Sequence, residues 1–129
     1  MADVHALGRR EDIRHLIVEA IGDIADQGDA VIVSHAASIP LAGRSDLLRV
    51  LVTASDEVRT TALAEGTGGN RPAARKFMEE SDAARADYFL DFYDIARELP
   101  TYYDLTINTD QLDINEAADI IVMAARRRR

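Results

Sequence analysis

The stretch Leu47–Thr53, LLRVLVT, decides the fold class, because a helix start, Ser55-Asp56-Glu57, follows it almost at once. A short run of aliphatic and β-branched side chains without regular polar alternation is typical of a strand that is buried on both faces of a parallel sheet. Ser55 is a favoured N-cap residue, and the two acids after it complement the positive end of a helix dipole. A buried strand that leads directly into a helix predicts an α/β domain.

Two other short segments have the same character as this strand. Ala30–Val33 is an unbroken apolar run, and Leu105–Asn108 is a third β-rich segment. The alternation of such runs with helical periodicity predicts an α/β fold of three layers, in which a small, mostly parallel sheet of about three strands is flanked by helices. The predicted helices run from near Glu11 to Gln27, from Ser55 to about Glu65, from Pro72 to Pro100 with room for a break at Ser81–Asp82, and from Asp113 onward.

Each predicted helix has an apolar face that we expect to be buried. In the first helix this face includes Ile13, Leu16 and Ile24, which recur at helical spacing. Phe77 begins the face of the third helix, and Ile114 begins the face of the last one. The last helix also opens with Asp113-Ile114-Asn115-Glu116, which is close to a capping box.

The composition restricts the class of protein. The 129 residues are the size of one domain, and we expect residues 1–129 to form it, with a leading segment at 1–10 and a basic tail at 126–129. No apolar run approaches the ~18 residues of a membrane span, and no signal-peptide segment is visible. The absence of cysteine fits a reducing compartment. The net charge of −8 and the aromatic content of 5% argue against nucleic-acid binding. We therefore expect a cytoplasmic protein that binds neither membranes nor nucleic acids.

A glycine-rich segment, Gly66-Thr67-Gly68-Gly69-Asn70, invites comparison with a phosphate-binding loop. Such a loop leaves a strand, enters a helix and ends in Gly-Lys-Ser/Thr, so that backbone amides and a lysine meet the phosphates. This segment follows a helix, and Gly-Lys-Ser/Thr occurs nowhere in the chain. Fourteen of the 15 basic residues are arginine, and Lys76 is the one lysine. We interpret the segment as a mobile hinge.

The three histidines have no spacing that indicates a metal site, and we expect none. His35 is the notable one, because Ser34, His35 and Ser38 come directly after the predicted strand Ala30–Val33. Ligands of open α/β sheets bind at the carboxyl ends of the strands. These three residues are therefore candidate ligand-binding residues, and the alternative is an ordinary turn between a strand and a loop.

Arginines and an acid surround the glycine-rich hinge. Arg59 precedes it, and Arg71, Arg75, Asp82 and Arg85 follow it. Arginine suits bidentate binding of phosphate, and a hinge flanked by arginines is what a lid over phosphates requires, so we describe residues 66–99 as a lid-like region. The alternative is a solvated helix face on which Asp82 and Arg85 form an i,i+3 ion pair.

Four stretches resemble the cytidylate-kinase-like family from about Ile13 onward. They are VIVSHAA from Val31, LRVLVTASDEVR from Leu48, EESDAARADYFLDFY from Glu79 and YDLTINTDQL from Tyr103. The last two stretches are the most specific. The resemblance implies a fold similar to that of nucleoside monophosphate kinases. Such a fold has a parallel sheet flanked by helices, a P-loop for the donor nucleotide and a lid that bears arginines.

The resemblance assigns roles to several residues. Arg59 matches an arginine of the helix that leads to the lid, and Asp82 and Arg85 match the Asp-x-x-Arg of the lid, where the arginine would face the transferring phosphates. These three are the candidate catalytic residues. Ser34-His35 stands where the family has Gly-Arg, which changes the contact expected with the acceptor.

The family's opening strand and P-loop should precede the helix that starts near Glu11, but only about ten residues precede it here. We therefore expect a P-loop NTPase-derived but incomplete fold that needs a partner chain for any ATP and Mg²⁺ binding. The central strand position, between the strands at Val31–Val33 and Leu48–Val52, must then be closed by direct pairing or by another chain, and we favour a homodimer.

Three functions follow from this reading. The first is a non-catalytic, nucleotide- or phosphate-binding or regulatory module. The second is a CMP-type phosphotransferase whose ATP-binding loop is supplied by a partner chain. The third is a structural homodimer with no ligand.

Overall fold

The structure, a computed structural model, describes residues 4–128, and for residues 4–7 it describes the backbone alone. The predicted leading segment and basic tail therefore lie partly outside the described residues, at positions 1–3 and 129. The elements follow one another as α1 (Val4–Gln27), β1 (Val50–Thr53), α2 (Asp56–Gly66), α3 (Arg71–Tyr93), a 3₁₀ turn (Pro100–Tyr102), β2 (Leu105–Asn108) and α4 (Ile114–Arg126). The first helix begins at Val4 rather than near Glu11.

The sheet consists of β1 and β2, which pair in parallel from Val50 opposite Leu105 to Thr53 opposite Asn108. The predicted α/β class with a parallel sheet is thus confirmed, and β2 has the predicted bounds. Within residues 4–128, however, the sheet has two strands instead of about three.

The segment Ala30–Val33 was predicted to be a buried strand, and this is wrong. It forms neither a strand nor a helix, and Val31 and Val33 are 93% and 94% exposed. The segment does not pair with β1, so the sheet is not closed by direct pairing of these two segments. An apolar β-branched run shows a preference for a sheet, but a strand forms only where a neighbouring backbone satisfies its hydrogen bonds.

The helical hairpin α2–α3 has the predicted start signals. Ser55 caps α2 by accepting a hydrogen bond from the Val58 backbone amide, and Asp56 and Glu57 lie in the first turn. Pro72 lies in the first turn of α3. The hinge between the two helices uses Gly68 and Gly69 at φ of 73° and 86°, a region that favours glycine.

The third helix departs from the prediction in two ways. It continues without a break through Ser81–Asp82, and it ends at Tyr93 rather than at Pro100. Asp94 adopts the left-handed conformation with φ of 55°, and its backbone amide caps the helix on the carbonyls of Phe89 and Leu90. The lid-like region 66–99 therefore comprises the hinge, α3 and an irregular return segment.

The buried apolar residues come from α1, the turn at residues 35–43, α2, α3, β2 and α4, and Phe89 and Ile107 are almost fully buried. Several predicted inner-face residues are exposed instead, because no described element covers them. The exposed ones are Ile13, Leu16 and Ile24 of α1, Phe77 of α3 and Ile114 of α4. The capping box of α4 is confirmed, since Asp113 and Glu116 each accept the other's backbone amide at 2.9 Å. In the described part of the chain, no helix is both long and apolar enough to cross a bilayer.

The amino ends of the two strands are joined through Asp104. Its carboxylate accepts hydrogen bonds from the backbone amide and the guanidinium of Arg49 at 2.9–3.1 Å, and Arg128 lies 3.1 Å away. The side-chain hydrogen bond from Arg49 is the largest cause that holds the pKa of Asp104 far below its usual range.

Replacing Asp104 by Asn should reduce the acid sensitivity of the fold. The folded pKa lies below the unfolded value of about 3.9, so the contribution of Asp104 is complete above that value and is lost as the pH falls below it. The wild type should lose free energy of unfolding between about pH 5 and pH 2 more steeply than Asp104→Asn, as measured by urea unfolding at a series of pH values. Asp119→Asn, which removes an exposed carboxylate of α4, is the control and should follow the wild type. Equal slopes for wild type and Asp104→Asn would contradict this assignment.

Candidate functional site

Arg85, near the middle of α3, is at the centre of a polar cluster. Its Nε and Nη2 atoms donate to the two carboxylate oxygens of Glu98 at 2.8 and 2.6 Å. The Nη2 atom also lies 3.3 Å from the hydroxyl of Tyr103, which itself donates to Glu98. The guanidinium carbon is 5.4 Å from the centre of the Phe89 ring. Arg85 is therefore held in one orientation, with its side chain 30% exposed.

The turn at residues 35–43 brings His35 to the same place. The His35 Nδ1 atom is 3.5 Å from Nη1 of Arg85, and the imidazole ring is 5.9 Å from the ring of Tyr88. We predicted this histidine as the residue after a strand, but Ala30–Val33 is not a strand. Buried Ala36 and Leu41 anchor the turn instead. Ser34 is exposed, and its hydroxyl donates to the carbonyl of His35 at 3.3 Å.

Ser38 adds a buried hydroxyl beside the cluster. The residue is 8% exposed, and within residues 4–128 its Oγ atom makes no hydrogen bond of good geometry. It is nevertheless close enough to the Tyr103 hydroxyl to lower the pKa of that group, although burial and Glu98 raise this pKa overall. Ser38 therefore supports the position of Tyr103 from the buried side of the cluster. We call His35, Ser38, Arg85, Glu98 and Tyr103 the Arg85 cluster.

The electrostatics of Glu98 follow from this arrangement. Burial alone would raise the pKa of its carboxyl, but the hydrogen bonds from Arg85 and Tyr103 outweigh burial and lower it. Glu98 is therefore the counter-ion of Arg85. A phosphate that approaches Arg85 meets a guanidinium whose charge is already balanced.

Arg59 and Asp82 form a neighbouring ion pair between α2 and α3. The guanidinium donates to both carboxylate oxygens at 2.8 and 2.5 Å, and Asp56 lies 3.8 Å away. The hydrogen bond from Arg59 is the largest cause that lowers the pKa of Asp82. Arg85 is near enough to disfavour the charge of Arg59. The structure thus brings Arg59, Asp82 and Arg85 into one region, with Asp82 bonded across the helices to Arg59 instead of along α3 to Arg85.

Arg71 and Arg75 are placed elsewhere. Arg71 donates to Glu57 at 2.5 Å and to Thr61 at 2.9 Å, and Arg75 lies 3.6 Å from Glu57. Glu57 and Arg59 are two residues apart on α2, so their side chains point about 200° apart around the helix axis. The structure therefore does not unite Arg71 and Arg75 with the Arg85 cluster.

The side chains of the cluster are suited to binding a ligand. Arg85 offers fixed N–H donors, and His35 and Tyr103 add groups that bind oxygen-rich ligands. In the part of the chain that the structure describes, no group of three acidic or histidine side chains could hold a metal ion.

Sequence reasoning missed Glu98 and Tyr103. Both follow α3, 13 and 18 positions after Arg85, and no helical spacing connects them with it. The only feature of the sequence that indicated a turn near Glu98 was the proline two residues after it. The segment itself was predicted to be helical up to that proline. Irregular backbone after Tyr93 is what allows Glu98 to turn back toward α3.

Comparison with known proteins agrees with this fold. The model of the Cytidylate kinase-like family matches residues 7–111, which confirms the resemblance predicted from the sequence. A solved structure of an uncharacterized protein from Eubacterium ventriosum ATCC 27560 is similar, with 19% sequence identity and a TM-score of 0.78 over 91% of this chain. This chain spans 66% of the length of that structure, and at that identity the likeness concerns the fold alone. No curated protein matches the chain.

Proposed function

We propose that this chain, which belongs to the cytidylate kinase-like family, is a module that binds a nucleotide or another phosphate ligand and does not transfer phosphoryl groups by itself. The observation that carries the proposal is the fixed, partly exposed guanidinium of Arg85 beside His35. The absence of cysteine supports a cytoplasmic location.

Phosphate binding is supported by the order already present in the cluster. Glu98 occupies Nε and Nη2 of Arg85, and His35 Nδ1 lies 3.5 Å from Nη1, so the second N–H of Nη1 is the donor that is left for an anion. Because the side chain is already held in place, binding costs little conformational entropy. The neighbouring carboxylates of Glu98 and Asp82 repel an anion, so we expect weak binding.

The lack of phosphoryl transfer is supported by the position of the only lysine. Transfer depends on positioning the β- and γ-phosphates and neutralising their charge. Lys76 has a side chain that is 77% exposed on α3 and lies 3.8 Å from Glu80. The sequence contains no Gly-Lys-Ser/Thr. Within this chain, therefore, no lysine is placed to hold a triphosphate.

Replacing Arg85 by Ala should weaken the binding of CMP at least about tenfold, because charge-assisted hydrogen bonds of roughly 1.5–3 kcal/mol are lost. Isothermal titration calorimetry measures the change. Arg75→Ala is the matched control, since this arginine lies outside the cluster, and it should bind within about twofold of the wild type. Thermal unfolding of each variant verifies the fold. Because Arg85→Ala alone leaves the Glu98 carboxylate buried without its counter-ion, a double variant with Glu98→Gln is measured as well. If calorimetry detects no binding of CMP, ATP or phosphate to the wild type, the result would contradict the proposal and favour a structural homodimer without a ligand.

Glu98→Gln should have the opposite effect and tighten phosphate binding by roughly threefold to tenfold, because it removes the carboxylate that competes for Arg85. Titration with inorganic phosphate and with CMP, at low and high salt, measures this gain. Glu80→Gln removes a carboxylate of α3 that pairs with Lys76 and serves as the control. Unchanged or weaker binding by Glu98→Gln, in a variant that unfolds like the wild type, would show that anions do not use Arg85.

A phosphotransferase whose ATP-binding loop comes from a partner chain is the second candidate function. The open edge of β1 favours it, because a strand from another chain could pair there. A coupled assay of the purified chain with ATP, Mg²⁺ and CMP should show no turnover above the enzyme-free rate. Robust turnover by this chain alone would overturn the non-catalytic proposal. Turnover that appears only after addition of a chain with a Walker-type loop would favour the second candidate.

A further inference from the structure

The segment Ala30–Val33, which we call the valine segment, is apolar but uncovered. Its two valines are the most exposed large hydrophobic side chains of the described chain. Among the backbone hydrogen bonds outside helices and strands in residues 4–128, none involves this segment. Exposed β-branched residues with free backbone groups are what a sheet edge captures.

The free edge of β1 is the complementary surface. The carbonyls of Arg49 and Thr53 accept hydrogen bonds from the backbone around β2, so the alternation of a parallel ladder turns the backbone groups of Val50 and Val52 away from β2. No third strand pairs with them within the described residues. This edge therefore offers amide donors and carbonyl acceptors to an incoming strand.

An apolar groove of about 760 Å³ adjoins this edge. It lies between β1, the segment after β2 and α4, and Val52 and Ile114 on its walls are 54% and 87% exposed. We call it the β1 groove; its other apolar lining residues are Leu112, Ala117, Ala118 and Ile121. Side chains of a strand added at β1 would alternate between this groove and the other face of the sheet.

We infer that two copies of this chain associate by placing the valine segment of each copy on the β1 edge and β1 groove of the other. The chain carries both halves of the contact: within one copy the valine segment is not paired with β1, and buried Ala36 and Leu41 fix the turn that follows the segment. A two-fold arrangement then satisfies both copies at once.

The size and charge of this contact set its properties. A stable interface needs about 1,200–2,000 Å² of buried surface. One four-residue strand supplies less than this, but reciprocal exchange buries two valine segments in two grooves. Each copy carries a net charge of −8, so the copies repel one another. Salt screens this repulsion, and the dimer should become tighter as ionic strength rises. The inference is independent of phosphate binding.

Sedimentation equilibrium over a range of protein and salt concentrations tests the dimer. The wild type should dimerise, and Val31→Asp combined with Val33→Asp should be a folded monomer, because both side chains face solvent within one copy. Phe77→Asp is the control, since this apolar residue is 62% exposed on α3 and does not line the β1 groove, and it should dimerise like the wild type. A wild type that stays monomeric at all concentrations, or a dimer that survives the double substitution, would overturn the inference.

Cysteine cross-linking identifies the contact itself, because the native chain has no cysteine. A Val33→Cys chain mixed with a Val52→Cys chain should form a disulfide-linked heterodimer on oxidation. In a Glu65→Cys control, the cysteine lies on α2 outside the groove and should not link to Val33→Cys. A third chain carries both Val33→Cys and Val52→Cys. If it forms a disulfide within single chains and no linked dimer, the valine segment pairs with its own β1, and the exchange is refuted.

Discussion

Parallel pairing of β1 with β2 is the constraint on which the rest of the described structure depends. Two parallel strands cannot be joined by a tight turn, because the chain must return to the amino end of the sheet before the second strand begins. α2 and α3 make this return as a helical hairpin packed through Thr60 and Met78. Asp104 then joins the strands at their amino ends, and Asp110 accepts the backbone amide of Ser55 at 2.7 Å beyond their carboxyl ends.

The same return path creates the candidate site. The chain has to pass from the end of α3 to the start of β2, and Glu98 and Tyr103 lie on this passage, where they meet Arg85. In a chain with a net charge of −8, carboxylates are available to each arginine of the region. The result is a cluster that is rigid but nearly neutral. The proposed binding of an anion by this cluster would depend on geometry and on exchange of the internal carboxylate, more than on long-range attraction of the anion.

The exposed apolar surface has the same origin as the small sheet. A two-stranded sheet has two open edges, and one short strand pair offers few places against which helices can pack. Side chains with the spacing of core residues, such as Leu16 of α1 and Ile114 of α4, therefore remain in solvent. The sequence pattern predicted that they are buried, and for these residues the prediction is wrong. Whether they are buried depends on elements that must lie next to them.

Local features of the fold were determined by the sequence by itself. Ser55 bonds to the backbone three residues ahead, and Asp113 and Glu116 bond to each other across the same distance, so these caps depend on neighbours that the sequence fixes. The strand at Leu105–Asn108 and the family were also recognisable. The candidate region was found through Arg59, Asp82 and Arg85, but without its acidic counterpart Glu98.

Only the tertiary structure decided the fate of Ala30–Val33 and the long-range partners of Arg59 and Arg85. A strand needs a second backbone, and a salt bridge needs a second side chain that is distant in sequence, such as Glu98 for Arg85 or Asp82 for Arg59. Such partners are chosen by the path of the whole chain. A sequence encodes bonds between residues a few positions apart directly, whereas bonds between distant residues depend on how all the elements pack together.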